Sequence, residues 1–186
     1  MNYAKIQKDM VDAAIGAKTH FDVWWTLASE GRLRFKQSFK SHSDYLGADS
    51  AAHYIAFFIC FSLLFDKTKR GGSIAKWLKL GEAKMGAERY KALSSSHDEL
   101  FKRAEPLLTI RNNLVAHLNA IKSEADVFSE LNITWFAMRD IIYDTVRFLA
   151  DAIGISSPSD IGIPRDGRLY EATIALLRSL GEECDA

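Results

Sequence analysis

The chain has 186 residues, and its 24 Lys and Arg side chains are balanced by 24 Asp and Glu, so its formal net charge is zero. A chain of this length supports one hydrophobic core, and we expect a single domain over residues 1–186. The balanced charge excludes a global attraction to nucleic acid or to an acidic membrane, so any such contact must come from a local patch.

The cysteines and the apolar runs predict a cytoplasmic protein without a membrane partner. Cys60 and Cys184 lie far apart and show neither the dense spacing of a disulfide framework nor the CxxC pairs of a zinc site. The N-terminus carries charges where a signal peptide needs an apolar stretch. The nearest candidate membrane span, residues 54–65, is too short to cross a bilayer.

Helical spacing dominates the first part of the chain. Apolar residues between positions 6 and 27 recur at i, i+3, i+4 and i+7, which predicts a long amphipathic helix. Asp49 and Ser50 are N-cap residue types placed before residues 51–65, which are apolar on nearly all sides. This stretch predicts a central buried helix.

Shorter helices are predicted for the middle of the chain. One covers residues 73–80, and another begins near Glu82. The polar residues 94–99 predict a break, after which Ser96 and Glu99 form the capping box of a further helix. That helix extends to Leu114, with a kink expected at Pro106.

The last third predicts a second long core helix over residues 131–153, which ends at Gly154. The pattern predicts a loop over residues 156–167 and a short helix over residues 169–180. The sequence therefore predicts an all-α, single-domain antiparallel helical bundle with two long core helices. We expect residues 1–155 to form the core bundle, and residues 156–186 to add a loop and the short C-terminal helix.

Most enzyme signatures are absent from the sequence. It contains no GxGxxG or Walker A loop, no HExxH, no GxSxG and no CxxC. None of its histidines pairs with another at i, i+3 or i, i+4, the spacing that a metal site on one helix needs. They are His20, His42, His53, His97 and His117. We therefore predict no metal site and no cofactor.

One polar string interrupts the helical pattern, and it contains Arg111 and His117. The guanidinium of Arg111 has paired N–H donors that can bind two phosphate oxygens, and the imidazole of His117 can exchange a proton near neutral pH. Metal-free RNA cleavage needs a histidine to move a proton at the ribose 2′-hydroxyl or the leaving oxygen, and a cation to hold charge on phosphorus. The alternative is that His117 only caps helix carbonyls and Arg111 pairs with a carboxylate, such as Asp98 or Glu105.

Arg111 and Asn112 followed by His117 resemble the Arg-polar-x-His motif of the HEPN superfamily, in which four to six residues separate the two ends, as five do here. Residues 61–67, Phe-Ser-Leu-Leu-Phe-Asp-Lys, and residues 108–117 are similar to the AbiU-like branch, which is linked with abortive phage infection. The resemblance covers roughly residues 1–155. It implies a homodimer whose two motifs face each other, in a group that includes metal-independent ribonucleases and toxins.

The resemblance also implies a role for each motif residue. Arg111 would stabilise phosphate, Asn112 would orient the backbone or the histidine, and His117 would act as general acid or base. We therefore expect an RNA-binding homodimer that acts as a metal-independent endoribonuclease toxin in phage defence, with an antitoxin protein as a further partner. The alternative is a non-catalytic helical module that binds RNA, a nucleotide or an antitoxin.

The spacing of the motif places a demand on the structure. On an ideal helix, Arg111 and His117 point about 120° apart and lie about 9 Å apart along the axis. A second chain, or a helix that ends near Ala116, must therefore complete the site.

A basic stretch at residues 67–79 gives a candidate RNA-binding surface. Such a loop can contact an RNA backbone, and Trp77 within it can stack on a base. Its candidate contact residues are Lys67, Lys69, Arg70 and Lys76. The interpretation that we favour is a solvated turn between helices, with Trp77 in the core.

Overall fold

The computed structural model describes residues 2–66, 72–115 and 129–181, and these residues include no strand. Besides the main helices, these residues form two π-helical turns, Leu27–Gly31 and Arg111–Val115, and a 3-10 turn, Pro158–Ile161. The main helices are α1 (Tyr3–Thr26), α2 (Arg32–Arg34), α3 (Lys36–Ser41), α4 (Ser43–Leu64), α5 (Ile74–Met85), α6 (Ala87–Ile110), α7 (Trp135–Ile153) and α8 (Arg168–Leu180). The prediction of an all-α helical bundle is confirmed.

The helices α1 and α4 form an antiparallel pair at the centre of the bundle. Helix α1 buries residues at helical spacing, among them Ile6, Met10 and Phe21, so the predicted long first helix is confirmed. A Cβ on Gly16 would come within 2.8 Å of the Cys60 Sγ. The glycine therefore allows the two helices to approach closely, with half-buried Cys60 packed between them.

Helix α4 differs from its prediction in both its start and its burial. It begins at Ser43, so Asp49 and Ser50 lie inside the helix and do not cap it. One side packs into the core through residues such as Phe57 and Phe61, which are 0% and 1% exposed. The other side carries a row of exposed apolar residues. The exposed fractions in this row are 41% for Ile55, 44% for Ile59 and 44% for Leu63.

The apolar run at residues 54–65 is therefore part of a longer helix. Among the described residues, α4 is the one helix whose 22 residues and mean hydropathy of 1.4 would suffice to cross a membrane. Its sequence could not show which side is covered, because apolar residues lie on both sides.

The breaks predicted within α5 and α6 are wrong. Helix α5 continues through Gly81, where a Cβ would come within 2.8 Å of the Tyr3 ring. Helix α6 runs from Ala87 to Ile110 through Pro106, so Ser96 and Glu99 cap no helix. The reason is burial: Leu93, His97 and Leu100 pack inward at helical spacing, while the polar residues between them lie on the outer side.

Helix α7 begins at Trp135, four residues after the predicted start. Thr134 caps it, because the Thr134 hydroxyl oxygen accepts a hydrogen bond of 3.1 Å from the Ala137 backbone N–H. It ends as predicted at Gly154, which adopts a left-handed φ of +82°. The predicted short C-terminal helix is also confirmed as α8. Helix α8 packs on the corner made by α1, α3 and α4. Their shared small core contains Leu27, Phe35, Leu46, Ile174 and Leu177.

Candidate functional site

The regular part of α6 ends at Ile110, immediately before the candidate motif. Residues Arg111–Val115 form a π-helical turn, so the prediction that the α-helix extends to Leu114 is wrong. A π turn closes i→i+5 hydrogen bonds, widens the helix and occurs frequently at functional sites. Ideal α-helical geometry therefore does not apply to Arg111–Val115.

Arg111 is half-buried, and its guanidinium is only partly used by the protein. Its Nη1 donates a hydrogen bond of 3.0 Å to Asn112 Oδ1. Its Nε is buried without a hydrogen-bond partner. Within residues 2–66, 72–115 and 129–181, no carboxylate pairs with Arg111, so the alternative ion pair with Asp98 or Glu105 does not form. An unsatisfied buried donor is costly, so this guanidinium suits an external acceptor.

Arg111 and Asn112 line a cavity of about 300 Å³ between the end of α4 and the end of α6. The apolar walls come from Leu63, Phe65 and Leu108, and Ser62 and Asp66 complete the lining. The arginine fork can bind an oxyanion such as phosphate in this cavity. Asp66 adds a carboxylate to the wall, which lowers the net positive charge.

The structure brings together only part of the predicted site. Arg111 and Asn112 are adjacent, whereas His117 lies outside the described residues, as do Lys67, Lys69 and Arg70. Lys76 is half-buried on α5 and does not line the Arg111 cavity. The interpretation that Trp77 belongs to the core is confirmed, because this residue is 2% exposed.

A larger cavity of about 630 Å³ lies elsewhere, between α1, α6, α7 and the segment before α8. Its arginines are paired with carboxylates: Arg103 contacts Asp144 at 2.7 Å, and Arg147 contacts the same carboxylate at 3.4 Å. These ion pairs join α6 to α7 and link successive turns of α7. The charges of Arg103 and Arg147 are thus compensated within the chain, whereas Arg111 has no carboxylate partner among the described residues.

A buried ionic cluster next to this larger cavity was missed from the sequence. Lys18 is 2% exposed, and its ammonium lies 2.6 Å from Asp22 and 3.2 Å from Asp166. The Tyr143 hydroxyl donates to Asp22 at 3.2 Å. Burial raises the pKa of Asp22, although Lys18 and Tyr143 act in the opposite direction. The i, i+4 spacing of Lys18 and Asp22 was the available sequence signal.

The bundle, with an arginine–asparagine pair at the end of one of its long helices, defines a HEPN-type helical domain. The chain matches the AbiU2 family of HEPN domains over residues 4–158, and it belongs to that family. It is thus an abortive-infection-related HEPN domain. No curated protein and no solved structure matches the chain.

Proposed function

We propose that this protein is a cytoplasmic, RNA-binding homodimer that cleaves RNA without a metal ion and acts as a toxin in phage defence. The observation that supports this function best is the Arg111 guanidinium, which is half-buried, borders a cavity and has no carboxylate partner in the described parts of the chain. A cation kept in this state has donors available for a phosphate.

The proposed cleavage is an attack of a ribose 2′-hydroxyl on the adjacent phosphorus. A new O–P bond forms, the bond to the 5′-oxygen breaks, and the products are a cyclic phosphate and a free 5′-hydroxyl. His117 removes the proton of the attacking hydroxyl or supplies the proton of the leaving oxygen. Arg111 stabilises the negative charge that develops on the phosphate oxygens, and Asn112 holds the guanidinium through its side-chain oxygen.

The exposed row on α4, Ile55, Ile59 and Leu63, supports pairing with a second copy of the chain. The residues follow one another at i, i+4 and i+8, and Leu63 also lines the Arg111 cavity. Burial of this row against its equivalent would remove apolar surface from water and bring the partner chain next to the cavity. Phe57 and Phe61 hold the opposite side of α4 in the core, which favours a second copy over a lipid bilayer as the occupant.

Incubation of the purified protein with tRNA and total RNA in EDTA tests the catalytic claim. We expect cleavage by the wild type and none by His117→Ala. Equal cleavage by both proteins would contradict the role of His117, and RNA binding by the wild type without cleavage would support the non-catalytic module instead.

Light scattering tests the dimer. We expect a dimer for the wild type and a monomer for Ile59→Glu, because the substitution places a charge in the apolar row. Leu176→Glu is the matched control, because Leu176 is 50% exposed on α8, and this variant should remain a dimer. A monomeric wild type, or recovery of the wild type in the membrane fraction, would contradict the proposal.

A further inference from the structure

Two histidines that lie far apart in the sequence face each other between α1 and α4. His20 Nδ1 lies 3.0 Å from His53 Nδ1, and the ring centroids are 5.0 Å apart with their planes inclined at 55°. Gly16, about one helical turn before His20, permits the close helix approach that this contact needs. Both histidines are partly exposed, so water and ions can reach them.

The facing nitrogens of this pair can share only one proton. In a neutral histidine one ring nitrogen donates and the other accepts, so one ring supplies the N–H and the other the lone pair. A second proton on the facing nitrogens would make one ring cationic and point two N–H groups at each other. Burial and, to a smaller extent, His53 lower the pKa of His20. Metal ions bind the neutral form of histidine, through the ring nitrogen that carries the lone pair.

The separation of the two nitrogens is close to that of two ligands on one metal ion. Bonds of about 2.0–2.1 Å from zinc to nitrogen, at a tetrahedral angle, place two ligand nitrogens about 3.3–3.4 Å apart. The rings would move apart by only a few tenths of an ångström. Asp49 Oδ1 lies 3.7 Å from His53 Nε2, the nitrogen that faces away from His20. A carboxylate that accepts a hydrogen bond from this nitrogen orients a metal-bound histidine, and Asp49 would need to move several tenths of an ångström closer to do so.

We propose that His20 and His53 form a two-histidine site for a borderline divalent cation such as Zn²⁺ or Ni²⁺. Imidazole is a preferred ligand of these ions. No group of three or more His, Cys, Asp and Glu side chains that could hold a metal occurs in the part of the chain that the structure describes, so water fills the remaining positions. The ion joins α1 to the N-terminal half of α4 and stabilises this helix pair.

The metal site is separate from the proposed cleavage site. His53 precedes Leu63, which lines the Arg111 cavity, by ten residues, or about 15 Å along the helix axis. The ion therefore has a structural role and takes no part in the metal-independent reaction. Failure of either proposal leaves the other intact.

Thermal unfolding of the full, untagged chain tests the site after metal removal with EDTA and dialysis. ZnCl₂ and, separately, NiCl₂ are added in steps. An ion that binds the folded chain stabilises it in proportion to the logarithm of its concentration above Kd, so we expect Tm to rise with each step. The rise should disappear in His20→Ala and His53→Ala. In Asp49→Asn the apparent Kd should increase about tenfold.

His42→Ala is the matched control, because His42 is an exposed histidine just before α4, and it should keep the wild-type rise. Isothermal titration should give one ion per wild-type chain. His20→Gln and His53→Gln replace the alanine variants if those do not fold. The proposal is overturned if Tm of the wild type does not rise at millimolar metal, or if the histidine variants show an equal rise.

Discussion

Lys18 and Arg111 are two cations that the protein surrounds in opposite ways. Lys18 is 2% exposed and lies within 3.2 Å of two carboxylates, those of Asp22 and Asp166. Arg111 is half-buried, and in the described residues its hydrogen-bond partner is Asn112, a neutral side chain. Burial of an unpaired charge is costly, so Lys18 needs its carboxylates for the fold. In the function that we propose, Arg111 instead keeps donors for a ligand, and this difference would separate a structural cation from a binding cation.

Among the variants that test this comparison, Asp22→Ala should have the largest effect on stability. The substitution leaves Lys18 buried with only the more exposed Asp166 nearby, and we expect the free energy of unfolding to fall by about 3–5 kcal/mol. Urea unfolding measures the loss.

Asp9→Ala is the matched control for Asp22→Ala. Lys5 and Asp9 form an i, i+4 pair at 3.0 Å on the same helix, but their side chains are 65% and 37% exposed. Loss of this pair should cost less than about 1 kcal/mol. Equal losses in the two variants would contradict the structural role of the buried pair.

Arg111→Gln should reverse the pattern, with a large effect on activity and a small effect on stability. We expect RNA cleavage to fall by about 100- to 1000-fold, because a donor to the developing phosphate charge is lost. The free energy of unfolding should change by less than about 1 kcal/mol. A cleavage assay and urea unfolding of the same preparation check both expectations.

Arg103→Gln is the control, on the helix that immediately precedes Arg111. Arg103 already pairs with Asp144, so its removal should leave cleavage within about threefold of the wild type, since it takes no part in phosphate stabilisation. A comparable loss of cleavage in both arginine variants would show that general positive charge, and not the specific position of the Arg111 guanidinium, supports the activity.

A smaller effect should come from Tyr143→Phe, which removes the hydroxyl that donates to Asp22. The ion pair with Lys18 remains, so we expect a loss of about 1 kcal/mol in the free energy of unfolding. Tyr45→Phe provides the control, because Tyr45 is 65% exposed, and it should leave stability unchanged. A loss as large as that of Asp22→Ala would mean that the hydroxyl, and not the ion pair, holds the cluster together.

The type of the main helices was predictable because it depends on local patterns. The apolar spacing along α1 and the glycine at position 154 each gave the correct element or end. The break at residues 94–99 was wrong because local capping chemistry competes with burial, and the partners of His97 in the core are set by tertiary packing.

The candidate site was predictable only where its residues are neighbours in sequence. Arg111 and Asn112 are adjacent, and their combination was recognisable without a structure. The pairing of His20 with His53 joins residues 33 positions apart, and the contact between Asp22 and Tyr143 joins residues 121 positions apart. The spacing of polar residues in one chain carries no signal for such contacts. Nor did the sequence carry a signal that Arg111 lacks a carboxylate partner among the described residues.

The segment after residue 158 lies beyond the family match, yet the helices before it depend on it. Asp166 completes the environment of Lys18, and Ile174 and Leu177 cover Leu27 and Phe35. A fragment trimmed to the matched region would expose the apolar residues Leu27 and Phe35 to water. It would also remove one of the two carboxylates that lie next to the buried ammonium group of Lys18. The boundary of evolutionary similarity is therefore a poor place to cut this polypeptide.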